Sequence, residues 1–134
     1  MILDLLHYAI KQAETLGASD AEAYAATNNE SEVFIENNDV KQAKSQSVSS
    51  IGIRVILDGS IGFYSVNDLA KNRISDGAAM AIKVARAGPK DRHNILPNTS
   101  KSKSLRGIYD RNAESFQTSN AARSAAEMLN AAKS

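Results

Sequence analysis

Histidine and serine are two residue types in this chain that could carry out chemistry, but their spacing does not produce a catalytic set. The chain has two histidines, His7 and His93, and no cysteine. Neither histidine has a second histidine or a carboxylate at a spacing typical of metal ligands. We therefore expect His7 to be an ordinary residue of a first helix. We expect His93 to be a loop residue beside Arg92, with contact to a ligand or a partner as its alternative role.

The serines and glycines also lack the surroundings of catalytic or phosphate-binding motifs. No serine lies in a G-x-S-x-G nucleophile elbow, and no G-x-x-x-x-G-K segment is present to hold a phosphate. Gly52, Gly59 and Gly62 fall in or beside predicted strands, where glycine serves turn geometry and close packing. The residues therefore provide no catalytic residue, no metal site and no cofactor site. They leave open whether the chain is part of an enzyme.

The composition indicates one globular domain in the cytoplasm. A chain of 134 residues with 43% apolar content can form a modest core, so we expect a single domain over residues 1–134. The absence of cysteine excludes disulfides and thiolate metal sites. The apolar N-terminal run contains Asp4 and His7 and has no cationic start, which is atypical of a signal peptide. No apolar stretch approaches the ~20 residues of a membrane-spanning helix, so we expect no membrane partner.

The net charge of +1 conceals an uneven distribution. Residues 1–67 contain four Lys and Arg against nine Asp and Glu, whereas residues 68–134 contain twelve against six. Seven of the basic residues are Lys83, Arg86, Lys90, Arg92, Lys101, Lys103 and Arg106. The segment that holds them has no aromatic residue for base stacking, and its charges straddle a helix end and a loop. We interpret them as solvated surface charge and do not expect nucleic-acid binding.

The segment SIGIRVILDGSIGFYSVNDL, residues 50–69, predicts a β-hairpin with a defined register. Asp58-Gly59 is typical of a two-residue type I′ turn, in which both residues take a positive φ. This turn pairs Leu57 with Ser60 and Ile53 with Tyr64, and it sorts the side chains onto two faces. One face carries Ile51, Ile53, Val55, Leu57, Tyr64 and Val66.

The second face of the hairpin is the candidate functional surface. It carries Ile56, Ile61 and Phe63, with Arg54 opposite the phenyl ring. A small antiparallel sheet normally covers only one face, so apolar residues on both faces suggest that another domain or subunit covers the second. We therefore predict an interface at Arg54, Ile56, Ile61 and Phe63.

The remaining patterns predict an α+β fold. Ile2–Leu16 has helical periodicity, and a mostly antiparallel sheet of about five strands should follow, as two hairpins. The additional strands are Asp20–Thr27, Glu32–Glu36 and Asp39–Ser47, with Asn37-Asn38 as the turn of the other hairpin. A polar run at residues 45–50 should separate the third of these strands from the main hairpin.

Two further helices are predicted after the sheet. The first is capped by Asn67, buries a stripe at Ile74, Ala78, Ile82 and Ala85, and ends at Gly88-Pro89. A long loop follows over residues 90–112. An alanine-rich helix over residues 119–133 closes the chain, with its packed stripe at Ala122, Ala125, Ala126, Leu129 and Ala132.

Several segments occur in the order found in one protein family. The second hairpin, ENNDVKQAKSQ, precedes the main hairpin, and ILP, GIYD and AAEMLNAAK follow in the second half. This ordered set resembles the N-terminal domain of the TldD/PmbA family of proposed zinc metallopeptidases, also called the modulator of DNA gyrase family. Asn38, Tyr64 and Ala70 depart from residues common in the family, at positions where a fold tolerates substitution.

The resemblance implies an accessory, non-catalytic role. Catalytic members carry an H-E-x-x-x-H zinc motif in a later domain, and these 134 residues contain no such motif. The resemblance thus implies no catalytic residue here, and zinc only in a later domain of a catalytic parent. The parent would be a zinc-dependent peptidase or its metal-free partner subunit. The domain would help subunit assembly, as a homo- or heterodimer, and guide unfolded peptide substrate.

Two explanations of the chain stay open. It is a fragment that lacks a C-terminal domain, or it is a complete short protein that works as a stand-alone interaction module. Such a module would bind a peptide or protein through an exposed sheet edge. The substrate, the native oligomer and the type of parent subunit also stay open.

Overall fold

The computed structural model describes residues 1–98, 103 and 105–133. The described elements are α1 (Ile2–Thr15), β1 (Asp20–Glu36), β2 (Asp39–Leu57), β3 (Ser60–Val66), α2 (Lys71–Ala87), α3 (Arg111–Glu114) and α4 (Thr118–Lys133). The strands form one antiparallel sheet in the order β1-β2-β3. The predicted α+β class is confirmed. None of the described helices combines the length and apolar character that crossing a bilayer requires.

The predicted number of about five strands is wrong, because two pairs of expected strands are continuous. Asp20–Thr27 and Glu32–Glu36 are parts of β1, and the polar run at residues 45–50 lies within β2. Residues 28–31, between the two expected strands of β1, and residues 45–50 of β2 contain neither Gly nor Pro, the residues that interrupt strands. Polarity alone therefore does not end a strand whose backbone stays paired.

Polar side chains pair within these long strands. The hydroxyl oxygens of Thr27 and Ser49 lie 2.9 Å apart. Ser47 Oγ donates a hydrogen bond to Asn29 Oδ1 at 2.7 Å. Cross-strand hydrogen bonds of this kind contribute to sheet pairing. In these segments they take the place of the apolar cross-strand contacts by which a strand is usually recognised in a sequence.

Both predicted hairpin turns are confirmed. Asn37 and Asn38 have φ angles of 52° and 59°, and Asp58 and Gly59 have φ angles of 50° and 80°. These left-handed values are those of a type I′ turn. The register predicted for β2 and β3 is also confirmed, from Leu57 opposite Ser60 to Ile53 opposite Tyr64.

The hydrophobic core lies between the sheet and helices α1 and α2. The fully buried apolar residues of the strands are Ile51, Ile53 and Val55, all from one face of β2. The buried helix residues are Ala9, Ala13, Ile74, Ala78, Ala81, Ile82 and Ala85. The stripe predicted for the second helix is therefore confirmed. Most of these helix residues are alanine, so the helices can approach the sheet closely.

Gly62 is the point of closest approach between β3 and α2. A Cβ atom at Gly62 would overlap the carbonyl oxygen of Ala81 and would lie 2.7 Å from the amide nitrogen of Ala85. The missing side chain thus allows the helix backbone to rest on the strand. Beside it, the buried Ser60 Oγ donates to the carbonyl oxygens of Gly88 and Pro89, each at 3.1 Å. These bonds hold the end of α2 against the start of β3.

The predicted capping role of Asn67 is wrong. Helix α2 begins at Lys71, and its N-cap residue is Ala70, which has no side-chain capping hydrogen bond. Asp68 instead accepts a hydrogen bond from the amide of Ala70 at 2.9 Å, which forms a local turn before the helix. Leu69, between them, packs against the core. The end of the helix is as predicted, with Gly88 at the C-cap.

The chain divides into two compact units, residues 1–27 with 48–99 and residues 28–47 with 100–134. The first unit contains the core described above. The expectation of a single domain over residues 1–134 stays a prediction. The predicted loop over residues 90–112 contains the start of α3, and part of it lies outside the described residues.

The second unit contains the tip of the β1–β2 hairpin and helix α4. Ser31 Oγ lies 3.1 Å from Thr118 Oγ1, and Lys133 Nζ donates to the carbonyl oxygen of Asn38 at 2.9 Å. The residues of α4 that are at least partly buried include Ala121, Ala122, Ala125 and Leu129. Ala126 and Ala132, which were predicted to pack, are exposed.

Candidate protein interaction surface

Strand alternation separates the first unit's sheet into a packed face and an open face. Ala21, Ala23 and Ala25 of β1 pack against the core, so Glu22 and Tyr24 between them lie on the opposite side. On the same side, Arg54 of β2 pairs with Phe63 of β3, and Ile56 of β2 pairs with Ile61 of β3. We call the surface formed by Glu22, Tyr24, Arg54, Ile61 and Phe63 the open face.

An ion pair crosses the open face. Arg54 Nη2 contacts Glu22 Oε1 on the neighbouring strand, and both side chains are about half-exposed. Arg54 is also the register partner of Phe63 on its other side. A half-exposed ion pair contributes little to folding stability, so this pair is a feature of the surface and not a source of the fold's stability.

Most of the predicted interface is exposed, but one residue is not. Phe63 is 56% exposed and Ile61 is 43% exposed, whereas Ile56 is only 3% exposed. The chain itself therefore already covers Ile56, and this side chain is not available on the open face. The interface role of Arg54, Ile61 and Phe63 stays a prediction.

Tyr24 is the member of the open face that the sequence analysis missed. It is 75% exposed, the most of any residue on this face, and it lies two residues from Glu22 on β1. The sequence pattern that could have placed Tyr24 on this face is the alternation of Ala21, Ala23 and Ala25. Small residues at every second position of a strand indicate a packed face, and Tyr24 between them then lies on the opposite face. The open face thus carries two exposed aromatic rings, Tyr24 and Phe63, with a charged pair.

The described residues do not fit a zinc ion. No group of three or more His, Cys, Asp and Glu side chains close enough to hold a metal occurs among residues 1–98, 103 and 105–133. His7 is exposed on α1. His93 lies in the loop after α2, where its Nε2 accepts a hydrogen bond from Arg92 Nε at 3.2 Å and its backbone amide donates to Asp91. The two histidines therefore belong to different elements, and neither has the partners of a metal ligand.

Among the titratable groups that the structure describes, two have shifted pKa values, and both lie outside the open face. The N-terminal ammonium donates a hydrogen bond to Asp4 and lowers the pKa of that carboxyl. A hydrogen bond to Glu114 raises the pKa of Tyr109 above its usual value, because the carboxylate accepts the phenolic proton. Both groups are exposed, so these shifts indicate local contacts and not a buried catalytic group.

The basic residues between positions 83 and 106 that the structure describes are exposed. Lys83 and Arg86 are exposed on α2, and Lys90, after the helix, lies 3.9 Å from Asp58 of the hairpin turn. Lys101 lies outside the described residues. The arrangement of the described residues agrees with the interpretation as solvated charge.

Comparison with known proteins identifies relatives that are longer than this chain. TldE from Thermococcus kodakarensis has a TM-score of 0.67 at 20% identity, over 75% of this chain and 23% of that chain. A Bacteroides thetaiotaomicron protein described as a modulator of DNA gyrase has a TM-score of 0.70 at 19% identity, over 90% of this chain and 28% of that chain. This chain therefore spans about a quarter of each of these solved structures.

Sequence comparison gives the family. No curated protein matches the chain at a significant level. The family model described as PmbA/TldA metallopeptidase domain 1 matches residues 21–87, half of the chain. The matched part contains almost all of the three strands and the whole of α2, which build the open face and most of the core, and it leaves out α1. The chain therefore belongs to the PmbA/TldA metallopeptidase family, also written TldD/PmbA, and corresponds to its first domain.

Proposed function

We propose that the chain is an accessory, non-catalytic domain of a TldD/PmbA-type protein in the cytoplasm. The parent is a zinc-dependent peptidase or the metal-free partner subunit of one. The domain helps the subunits assemble and guides unfolded peptide substrate. Zinc belongs to a later domain of a catalytic parent, and this chain holds no cofactor.

The open face is the observation that carries this proposal. It places Tyr24, Phe63 and Ile61 in solvent on a sheet whose other face is covered by α1 and α2. Exposed aromatic residues beside an arginine are typical of the central part of protein interfaces. The solved relatives are about four times as long as the aligned part, so the family provides further chain that could cover such a face.

Assembly through the open face explains why the face is mixed in character. The Arg54–Glu22 pair keeps the isolated domain hydrated, and the two rings supply the apolar area that is buried when a partner docks. The docking partner is the C-terminal domain of the same protein or a second subunit, in a homo- or heterodimer.

A stand-alone interaction module is the second candidate function. The observation that favours it is that β3 is an edge strand of the sheet, with one side free to pair with another chain. In this case the chain would act without a catalytic domain, through its sheet edge.

The coding context and side-chain footprinting together test the first candidate. The reading frame is first followed past Ser134 to find a segment with H-E-x-x-x-H, or a long continuation without it. Hydroxyl-radical labelling then compares the 134-residue chain with the complete gene product. We expect Tyr24 and Phe63 to be labelled in the short chain and protected in the complete product. Equal labelling of both rings in the two forms, or a stop codon directly after Ser134, would contradict the proposal.

A further inference from the structure

Ile56 is covered although it lies on the side of the sheet that α1 and α2 leave open. It is 3% exposed, whereas Ile61, its register partner on β3, is 43% exposed. Both side chains point to the same side of the sheet, because register partners of an antiparallel pair share a face. Another segment of the chain must therefore lie over Ile56 and leave Ile61 in solvent.

The segment that follows α2 is fixed to the turn of the main hairpin. The carbonyl oxygen of Gly59 accepts hydrogen bonds from the amide of Asp91 at 2.9 Å and from Asn94 Nδ2 at 2.8 Å. Asp91 itself accepts hydrogen bonds from the amides of His93, at its carboxylate, and of Asn94, at its carbonyl oxygen. Residues 91–94 thus form a compact turn with several hydrogen bonds, which anchors the segment beside Gly59.

The next four residues, 95–98, reach the start of β1 and are held more weakly. A cavity of about 330 Å³ is lined by Leu96, Pro97 and Asn98 together with Asp20, Ala21 and Glu22 of β1. No hydrogen bond joins residues 95–98 to any other residue that the structure describes. Leu96 is partly buried, whereas its neighbours Ile95 and Pro97 are exposed. We call residues 95–98 the arm.

The two contacts of this segment lie on either side of Ile56. The hairpin turn with Gly59 follows Ile56 closely along the chain. On the neighbouring strand, the amide of Ser19 donates to the carbonyl oxygen of Ile56 at 2.8 Å, so the start of β1 lies directly beside it. A segment that runs from Gly59 to the start of β1 on the open side passes over Ile56. Leu96, the partly buried apolar residue of the arm, is therefore the side chain placed to cover it.

We propose that the arm is an autoinhibitory cover of the docking surface, closed in the isolated domain and displaced when a second subunit docks. The inference rests on the proposed function, because it concerns the regulation of the same surface. With the arm closed, the available aliphatic residue is Ile61, next to Phe63. With the arm open, Ile56 adds a second one directly opposite Ile61, and an apolar side chain of the partner takes the place of Leu96.

The contacts of the arm favour movement about a fixed hinge. Lifting the arm breaks no hydrogen bond among the described residues, and residues 91–94 stay bonded to Gly59. Segments with few buried contacts open at a low cost in free energy. A partner that binds the open form replaces the lost apolar contact, and its affinity is lowered by the fraction of closed domains.

A second subunit is the partner that such a cover suits. A C-terminal domain of the same chain is permanently attached, so it would cover the face at all times and leave no open state to control. A separate subunit arrives after the domain has folded, and until then the arm keeps Ile56 out of solvent. The arm therefore limits association of the isolated domain without preventing the final docking.

Hydroxyl-radical labelling of the 134-residue chain tests whether Leu96 holds the cover closed. Leu96→Ser removes the apolar contact, so labelling of Ile56 should rise by up to about tenfold, as the 3% and 43% exposures of Ile56 and Ile61 imply. Ile95→Ser is the matched control, because this neighbouring residue is 75% exposed, and it should leave the labelling of Ile56 unchanged. Unchanged labelling of Ile56 in Leu96→Ser would overturn the proposal.

Sedimentation velocity of the same variants tests whether the cover limits docking. Leu96→Ser should raise the association constant of the 134-residue chain about fivefold, because part of one more apolar side chain becomes available for burial. Adding Ile56→Ser should cancel this increase, and Ile95→Ser alone should not produce one. Stronger labelling of Ile56 without stronger association would show a cover that does not inhibit docking, and would overturn the proposal.

A variant at the hinge replaces Leu96→Ser if that variant does not fold. Asn94→Ala removes one of the two hydrogen bonds to Gly59 and leaves the core unchanged. We expect it to raise both the labelling of Ile56 and the association constant. A folded Asn94→Ala variant with neither increase would then overturn the proposal.

The outcome separates this inference from the proposed function. Failure at Ile56 removes the arm as a cover and leaves the labelling of Tyr24 and Phe63 in the complete gene product as an independent test of docking. Equal labelling of those two rings in both forms would contradict docking, whereas the cover over Ile56 is measured in the 134-residue chain alone.

Discussion

The ring of Phe63 lies over Gly52 on the neighbouring strand. A Cβ atom at Gly52 would lie 3.0 Å from Cε2 of Phe63, closer than carbon atoms normally approach. The two residues are diagonal neighbours on the open face, since Gly52 pairs with Ser65 and Phe63 pairs with Arg54. Because Gly52 has no side chain, the Phe63 ring can lie directly over its backbone. This contact partly holds the ring in place, although Phe63 is still more than half exposed.

A double-mutant cycle measures this contact. Gly52→Ala should displace the ring in the unaltered background, whereas the same change in a Phe63→Ser background has no ring to displace. We therefore expect Gly52→Ala to be less favourable with Phe63 present, by about 0.5 kcal/mol or more in the free energy of unfolding. Identical effects in both backgrounds, from urea denaturation, would show that the ring is not seated on Gly52.

Gly62→Ala should strongly destabilise the first unit. The added methyl group would overlap backbone atoms of α2, which cannot move without separating the helix from the strand. We expect a loss of about 3 kcal/mol or more. The control is Gly88→Ala, where the new Cβ atom would have only ordinary contacts at 3.5 Å and a negative φ. Similar melting temperatures for the two variants would contradict the close packing at Gly62.

Gly59→Val tests the turn of the main hairpin. Gly59 has a φ of 80°, which a β-branched residue resists, and its Cβ atom would lie 2.9 Å from the carbonyl oxygen of Asp91. We expect a loss of about 2 kcal/mol or more, larger than that of a surface change. Thermal unfolding followed by circular dichroism measures it, and an unchanged melting temperature would contradict the left-handed turn.

Phe63→Ser should leave the fold intact and reduce self-association of the 134-residue chain. The side chain lies on the open face, outside the core that α1 and α2 cover. Leu3→Ser is a matched control, because Leu3 is also 56% exposed but lies on α1. Sedimentation velocity should show reduced association for Phe63→Ser alone. Collapse of folding in Phe63→Ser would instead place the ring in this domain's own core.

Removal of the Glu114 carboxylate should change the titration of Tyr109. The hydrogen bond from Tyr109 to Glu114 raises the pKa of the phenol. The stabilisation from this hydrogen bond is therefore fully present below the ordinary tyrosine pKa of 10.0, and it is lost as the pH rises through the raised pKa. Glu114→Gln should lower the pKa of Tyr109 toward 10.0. Ring resonances of Tyr109, followed by nuclear magnetic resonance against pH, measure the shift. An unchanged or higher midpoint would contradict the hydrogen bond.

Local signals predicted the main hairpin correctly and the number of strands incorrectly. Asp58-Gly59 specifies the turn, and a two-residue turn leaves one possible register for the strands beside it. The polar runs in β1 and β2 suggested breaks, because strand prediction depends on apolar alternation. These runs stay extended because their hydroxyl and amide side chains bond to each other across the sheet, as Ser47 does to Asn29.

The candidate site was predicted in part for a related reason. Alternation from the turn placed Arg54, Ile56, Ile61 and Phe63 on one face, which the register confirms. Alternation does not indicate which of these side chains is covered by another part of the same chain. Ile56 is the one that is covered. The contribution of Tyr24 depends on the position of β1 beside β2, which a single strand pattern does not reveal.

The sequence by itself determined the hairpin turns, the register of β2 and β3, the packed stripe of α2 and the family resemblance. These depend on neighbours close along the chain, whose backbone preferences and periodicity are local. Only the tertiary structure decided that β1 and β2 are each continuous and that Ile56 is buried while Tyr24 is exposed. Those features arise where distant segments meet, because burial depends on which side chains arrive at the same place.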